Sequence, residues 1–370
     1  MEWVLPLIGF ALAAYATVAN DSIQTLGTFL ASNRQRPWWV LWMFAGSILS
    51  VVLIWGWYSR GGDAAFGRLD AIEMPAHFSW VYLIPPAVLL LITRVGIPVS
   101  TTFLILTTFS PKSLDQMLAK SLGGYVLAFA VGAVVYWAVT HTLERRFQAT
   151  ADRPPARAWV ALQWASTAFL WSQWLMQDLA NVFVYMPRRM DLSTLLGGIA
   201  LMLVLQGWIF YKAGGEIQKI VTDKTATYDI RSATIIDFLY GCILFFFKEW
   251  SAVPMSTTWA FLGLLAGREL ALTLRLRMRP FNGTVGIVMR DMGKAGAGLA
   301  ISIMLAFGLP VMARMVDAVG TQPATAAAHP ELATEPGEGA PQDDDAAADA
   351  SPLRFREERG VDAVFASLRR

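Results

Sequence analysis

Residues 38–58 are 21 consecutive positions without a charged side chain. An apolar stretch of about 20 residues is the length a helix needs to cross the hydrocarbon core of a bilayer. Inside lipid every backbone N–H and C=O has to be satisfied within the segment, so such a run has to be helical. The same reading recurs along the chain. Residues 3–31, 119–142, 158–186, 193–212 and 286–313 are further spans, and 79–94, 99–109 and 233–250 are shorter apolar runs. With 55% hydrophobic and 16% charged residues and a mean hydropathy of +0.45, the expected fold class is an all-α polytopic membrane protein. Trp38, Trp39, Trp55, Trp57 and Trp159 suit the membrane interfaces. A single cysteine, Cys242, rules out an internal disulfide framework. Three distant histidines, His77, His141 and His329, argue against a zinc site. Residues 3–18 lack a basic leader region and an Ala-x-Ala site, and read as part of the first mature helix.

Two interruptions organise the chain. In the first run, Asn20-Asp21-Ser22-Ile23-Gln24 places an acid and two carboxamides at membrane depth, with Gly27 close behind. An acid there costs about 2.5–3.5 kcal/mol on insertion scales, so a broken helix whose break carries a binding site is expected. Later, Arg94-Val95-Gly96-Ile97-Pro98 separates two short apolar runs, which reads as a re-entrant hairpin or discontinuous helix. Both features return. Gln177-Asp178-x-x-Asn181 follows Asn20-Asp21-x-x-Gln24 at an offset of 157, and Pro254-Met255-Ser256-Thr257-Thr258 follows Pro98-Val99-Ser100-Thr101-Thr102 at 156. The second apolar run of the later pair opens at Pro254 and reads as short, to about residue 267. The expected domains are therefore a first repeat over 1–142, a linker over 143–157, a second repeat over 158–313, and a largely disordered tail over 314–370. Residues 321–370 hold 10 acids and 5 bases, whereas residues 1–320 carry a net +7. Residues 351–370 read as a short amphipathic helix with no function assigned.

Counting Lys and Arg sets the orientation. Three full crossings plus one hairpin per repeat put Arg34, Arg36, Arg145, Arg146, Arg153, Arg157, Lys219, Lys224, Arg231, Arg268, Arg275, Arg277 and Arg279 on one side. The opposite side has Arg60, Arg68, Lys112, Arg188 and Arg189. The richer side is expected to be cytoplasmic, with both termini outside. An odd number of crossings per repeat makes the two repeats inverted in topology.

The chemistry follows from residue type. Pro then Ser-Thr-Thr is a helix-start signal, and a half-helix N-terminus offers unpaired N–H groups, a positive dipole end and hydroxyl donors. Two such starts form an expected cradle for a tetrahedral oxyanion, built from Ser100, Thr101, Thr102, Ser256, Thr257 and Thr258. One copy alone reads as helix capping or back-bonding; the matched pair favours a site. Asp21 and Asp178, with Asn20, Gln24, Gln177 and Asn181, are expected to hold sodium ions or a proton beside the anion. The competing reading makes both acids structural. Arg94 and Lys248-Glu249 read as snorkelling residues ahead of supplements to anion binding, Asp237 and His141 as interface residues, and Gly46 and Ser50 as helix-packing positions. Phe245-Phe246-Phe247 reads as packing. No phosphate loop, dinucleotide fingerprint or HExxH appears, and no nucleophile with its base, so neither an enzyme nor a nucleic-acid binder is expected.

These landmarks resemble the inorganic phosphate transporter (PiT) family. Val18-Ala19-Asn20-Asp21-Ser22-Ile23-Gln24-Thr25-Leu26-Gly27-Thr28 keeps the family's Ala-Asn-Asp and Gly-Thr frame, and Pro98–Thr102 and Pro254–Thr258 keep Pro-x-Ser-Thr-Thr. The resemblance covers roughly residues 5–310. It departs at Phe103 and Trp259, where the family has His, at Gln24 and Gln177 in place of Asn, and at Val184-Tyr185 in place of Gly-Pro. The resemblance implies a symporter of phosphate, or of sulfate, driven by sodium or protons across the inner or plasma membrane. It puts the six hydroxyl residues on the anion and the acids and amides at the coupling ions. No cofactor beyond sodium is expected. The expected partners are the oxyanion, sodium or a proton, the lipid bilayer and a second copy in a homodimer. The departures favour the alternatives: a sulfate or other oxyanion permease, or a non-transporting scaffold or sensor that retains the fold and binds a partner through its acidic tail.

Overall fold

The computed structural model describes residues 3–75, 77–94, 99–150, 153–212, 229–276 and 280–320. Outside them lie Pro98 with the expected hairpin apex, Lys219, Lys224, Arg277, Arg279, the side chain of His141, and the acidic tail from residue 321, including 351–370.

Among the described residues every regular element is helical. The chain opens with α1 (Val4–Thr17), a π-helical turn (Val18–Ser22) and α2 (Ile23–Ser32), then α3 (Trp38–Ser59). After a loop come α4 (Ile84–Arg94), a π turn (Thr102–Leu106), α5 (Thr107–Phe109) and α6 (Leu114–Val139). A third π turn (Thr140–Glu144) leads into α7 (Arg145–Ala149). The second half holds α8 (Arg157–Asp178), α9 (Ala180–Phe183), α10 (Leu192–Tyr211), α11 (Ile230–Trp250), α12 (Thr257–Leu276) and α13 (Phe281–Gly320). Six helices are long and apolar enough to cross a membrane: Val4–Ser22, Trp38–Ser59, Pro111–Val139, Leu192–Tyr211, Ile230–Trp250 and Phe281–Met312. Val51, Val126, Val134, Val204 and Met304 stand on the outer surface at 63–69% exposure. Apolar side chains so widely displayed belong in lipid, and the chain is a multi-pass membrane protein.

Five features differ from the sequence reading. The first run is not broken at 19–25: α1, the π turn and α2 form one continuous helix. A π turn redirects side chains while keeping the backbone bonded, which is what an apolar surrounding demands. The run after Pro254 is not short, because α12 continues to Leu276. Arg268 does not end it, since its guanidinium is buried and meets Glu144 at 3.8 Å and Glu269 at 2.8 Å. Asp237, expected at an interface, is buried on α11 and accepts from Thr28 and Thr167, each at 2.6 Å. The segment after residue 142 stays helical to Ala149, and the final helix passes residue 313.

Small residues set the packing. Gly263-x-x-x-Gly267 on α12 lies against the backbone of α6, with the carbonyls of Tyr125 and Phe129 where a Cβ would stand. Gly132 on α6 answers with Leu264 O at 2.5 Å from the same hypothetical atom. In lipid there is no hydrophobic drive between helices, so such close approach supplies the association. Gly46 faces Leu203 between α3 and α10, as a packing position should, and Trp42 Nε1 donates to Leu203 O at 2.9 Å across the same pair.

Candidate functional site

The two Ser-Thr-Thr segments start helices, as their sequence requires. Phe103 N–H donates to Ser100 Oγ at 3.3 Å, and Trp259 N–H donates to Ser256 Oγ at 3.2 Å. Each serine satisfies one of the donors a helix start leaves open, while its own hydroxyl proton stays available. The next residue in each copy donates to an acid. Thr101 donates to Asp21 Oδ2, and Thr257 donates to Asp178 Oδ2 at 2.5 Å. The third residue crosses to the other half. Thr102 donates to Met255 O at 3.1 Å, and Thr258 donates to Val99 O at 3.4 Å. Val99 and Met255 occupy the same place in their motifs, so the two crossing bonds exchange equivalent partners.

The amides surround the acids less evenly. Asn20 Nδ2 donates to Asp21 Oδ1 at 2.8 Å and to Val99 O at 3.0 Å. Asn181 Nδ2 donates to Asp178 Oδ1 at 3.2 Å. The asparagine serves the carboxylate in both copies, from before the acid in one and after it in the other. The glutamines do other work: Gln24 Nε2 reaches Asn20 Oδ1 at 3.3 Å and Gln177 Nε2 reaches Leu244 O at 2.7 Å. All twelve expected residues are buried, and Gln177 turns its amide to Leu244 O rather than to another member of the set. Arg94 is exposed and takes no part. Lys248 pairs with Glu249 at 2.9 Å and lies over the Phe245 ring.

The chemistry of this donor set is that of oxygen ligands. Gln177 Oε1, one residue before Asp178, and Asn181 Oδ1, three residues after it, are buried acceptors with no hydrogen-bond partner among the described residues. Carboxylates, amide oxygens, hydroxyls and the carbonyls of Val99 and Met255 are the hard oxygen ligands that alkali and alkaline-earth cations take.

Sequence reasoning missed several supports. Ser121 Oγ on α6 accepts from Ser256 N at 2.8 Å, and Tyr240 Oη donates to Thr257 O at 2.9 Å, so α6 and α11 both hold the second helix start. Arg68, from the loop after α3, is buried and donates to Met176 O at 2.9 Å, two residues before Asp178. No signal in the sequence separated Arg68 from an ordinary loop cation. Phe103 and Trp259 touch edge to face with ring centroids 5.6 Å apart. Tyr185 is a core residue, packed on Gly9 and donating to Tyr82 O at 2.8 Å.

No family model matches the chain, and no curated protein matches it in sequence. Among solved structures, one described as "The sodium-dependent phosphate transporter" is similar, with a TM-score of 0.55 and 14% identity, covering 83% of this chain and 98% of that chain. At that identity the likeness concerns the fold, and the chain has an all-helical membrane fold like that of a phosphate transporter.

Proposed function

We propose that the protein is a secondary active symporter of an inorganic oxyanion, phosphate first and sulfate second, driven by sodium or protons. The observation that carries this reading is the matched bonding of the two helix starts. In each copy the serine caps, the first threonine binds an acid, and the second threonine binds the opposite motif. Two helix N-termini facing one another give an anion two positive dipole ends, and Ser100 and Ser256 keep hydroxyl protons to donate. Asp21 and Asp178 cannot face an anion unscreened; a sodium ion or proton on each removes the repulsion and ties anion binding to the cation. Two repeats of inverted topology, rocking about this site, supply alternating access. The fold neighbour is described as sodium-dependent and as a phosphate transporter, which agrees with that choice of ions. The inner or plasma membrane and a homodimer belong to the same proposal. Uptake of labelled phosphate and sulfate into proteoliposomes under sodium and proton gradients tests it. Absence of cation-dependent accumulation of any oxyanion would sink it.

A second reading is a non-transporting sensor. The contact between Phe103 and Trp259 favours it, because it joins the two helix starts through apolar rings. Oxyanion-dependent thermal stabilisation with no uptake is the outcome that selects this reading.

A further inference from the structure

The turn between α11 and α12 collects two cations that the hydroxyl site does not use. Lys120 Nζ, on α6, donates to Ser251 O at 2.7 Å and Val253 O at 2.6 Å. Arg68 Nη1 donates to Ala252 O at 3.4 Å and Val253 O at 3.5 Å, and its Nε donates to Met176 O. Both reach Val253 O, so the two charged nitrogens are separated by no more than the sum of those bonds. Among the described residues every polar partner of both is a neutral carbonyl. Asp178 and Glu249 act on Arg68 with opposite charge and Arg60 with like charge, none of them through a hydrogen bond to it among the described residues. Arg68 is 3% exposed and Lys120 half-buried. Two like charges drawn from water beside one another, with only neutral carbonyls as hydrogen-bond partners, are a costly arrangement that an anion relieves.

The place is continuous with the hydroxyl site. Lys120 precedes Ser121, whose hydroxyl accepts from Ser256 N at 2.8 Å, and Val253 precedes Pro254-Met255-Ser256. The carbonyls fix both cations, while Arg68 Nη2 has no hydrogen-bond partner among the described residues and Lys120 retains its third ammonium proton. A guanidinium edge and an ammonium at this separation suit a tetrahedral oxyanion, whose oxygens take charge-assisted bonds from both sides.

Resting on the oxyanion-transport reading, we propose that Arg68 and Lys120 form a second oxyanion site, which receives the anion before it passes to Ser256-Thr257-Thr258. The carbonyl contacts alone would also serve as caps on the C-terminal end of α11, so the test has to separate capping from anion binding.

The experiment uses the full chain in detergent, with phosphate and sulfate titrated calorimetrically at several sodium chloride concentrations, and thermal unfolding without oxyanion as a parallel reading. Lys120→Gln is expected to weaken oxyanion affinity about tenfold, the equivalent of one charge-assisted bond, and to flatten its salt dependence. Lys120→Arg is expected to restore the affinity, and Arg68→Lys to lose part of it. The anion-free melting temperature of Lys120→Gln is expected to hold or rise, since an uncompensated charge is removed. Wild-type affinity in both Lys120→Gln and Arg68→Lys overturns the second site, leaving the cations as caps. Binding of neither phosphate nor sulfate by the wild-type chain overturns the transport reading itself, and the second site with it.

Discussion

Thr257→Val removes one hydroxyl and leaves the shape of the side chain nearly unchanged. The hydroxyl donates to Asp178 Oδ2 at 2.5 Å, while the other donors, Thr102 at 3.3 Å and Asn181 at 3.2 Å, both serve Oδ1. The variant therefore strips Oδ2 of its donor in a fully buried place. A hydrogen bond to a charged group contributes about 1.5–3 kcal/mol, and an unsatisfied buried acceptor costs on the order of 1–3 kcal/mol. We predict a loss of about 2–3 kcal/mol for Thr257→Val, measured by equilibrium unfolding in mixed micelles. Thr102→Val should cost about 1–3 kcal/mol mainly through its bond to Met255 O at 3.1 Å, and should couple less than Thr257→Val to Asp178→Asn because its contact with Asp178 is long. The bond itself is isolated by a cycle with Asp178→Asn, where the two changes should couple by about 1.5 kcal/mol. Additivity within about 0.5 kcal/mol would refute the claim that this threonine holds this acid.

Two further outcomes follow from packing and burial. Gly267→Ala puts a Cβ onto Phe129 O and 2.7 Å from Ala133 N, so it should destabilise the α6–α12 pair by about 1–3 kcal/mol in the same unfolding assay. Gly123→Ala, with open space around it, should be neutral or slightly stabilising; equal losses for both would remove the close-approach argument. Asp237→Leu leaves the hydroxyls of Thr28 and Thr167 without their acceptor, a cost of about 1–3 kcal/mol for each, whereas Asp237→Asn keeps an acceptor for one of them. A melting temperature for Asp237→Leu at or above that of Asp237→Asn would contradict this.

How far the sequence reached depended on whether a feature is local. Five of the expected spans and the paired motifs were legible because apolar length and a matched offset need no partner, whereas 158–186 is not among the six helices long and apolar enough to cross and Ile230–Trp250, read as a shorter run, is. The π turn at Val18–Ser22 was not, since the polar residues that suggested a break also fit a continuous helix that widens by one residue. Arg268 looked like a helix end because its partner Glu144 lies far away in sequence. Asp237 and Arg68 were misjudged for the same reason: their partners come from other helices, and a charge without a visible partner reads as an interface or loop residue. Gly263-x-x-x-Gly267 is a packing signal in the sequence itself, but which helix it meets depends on the fold. The swapped amides show a finer limit. Their order was plain in the sequence, but only the structure reveals that asparagine reaches the carboxylate in both copies.

The most direct test of the central claim is the initial rate of labelled phosphate and sulfate uptake into proteoliposomes, with and without an inward sodium or proton gradient, for the wild-type chain, Asp21→Asn and Asp178→Asn. The account predicts gradient-dependent accumulation of an oxyanion by the wild type. It predicts that either substitution abolishes the gradient dependence, because each acid carries one half of the matched site. Accumulation that both variants preserve unchanged would contradict it.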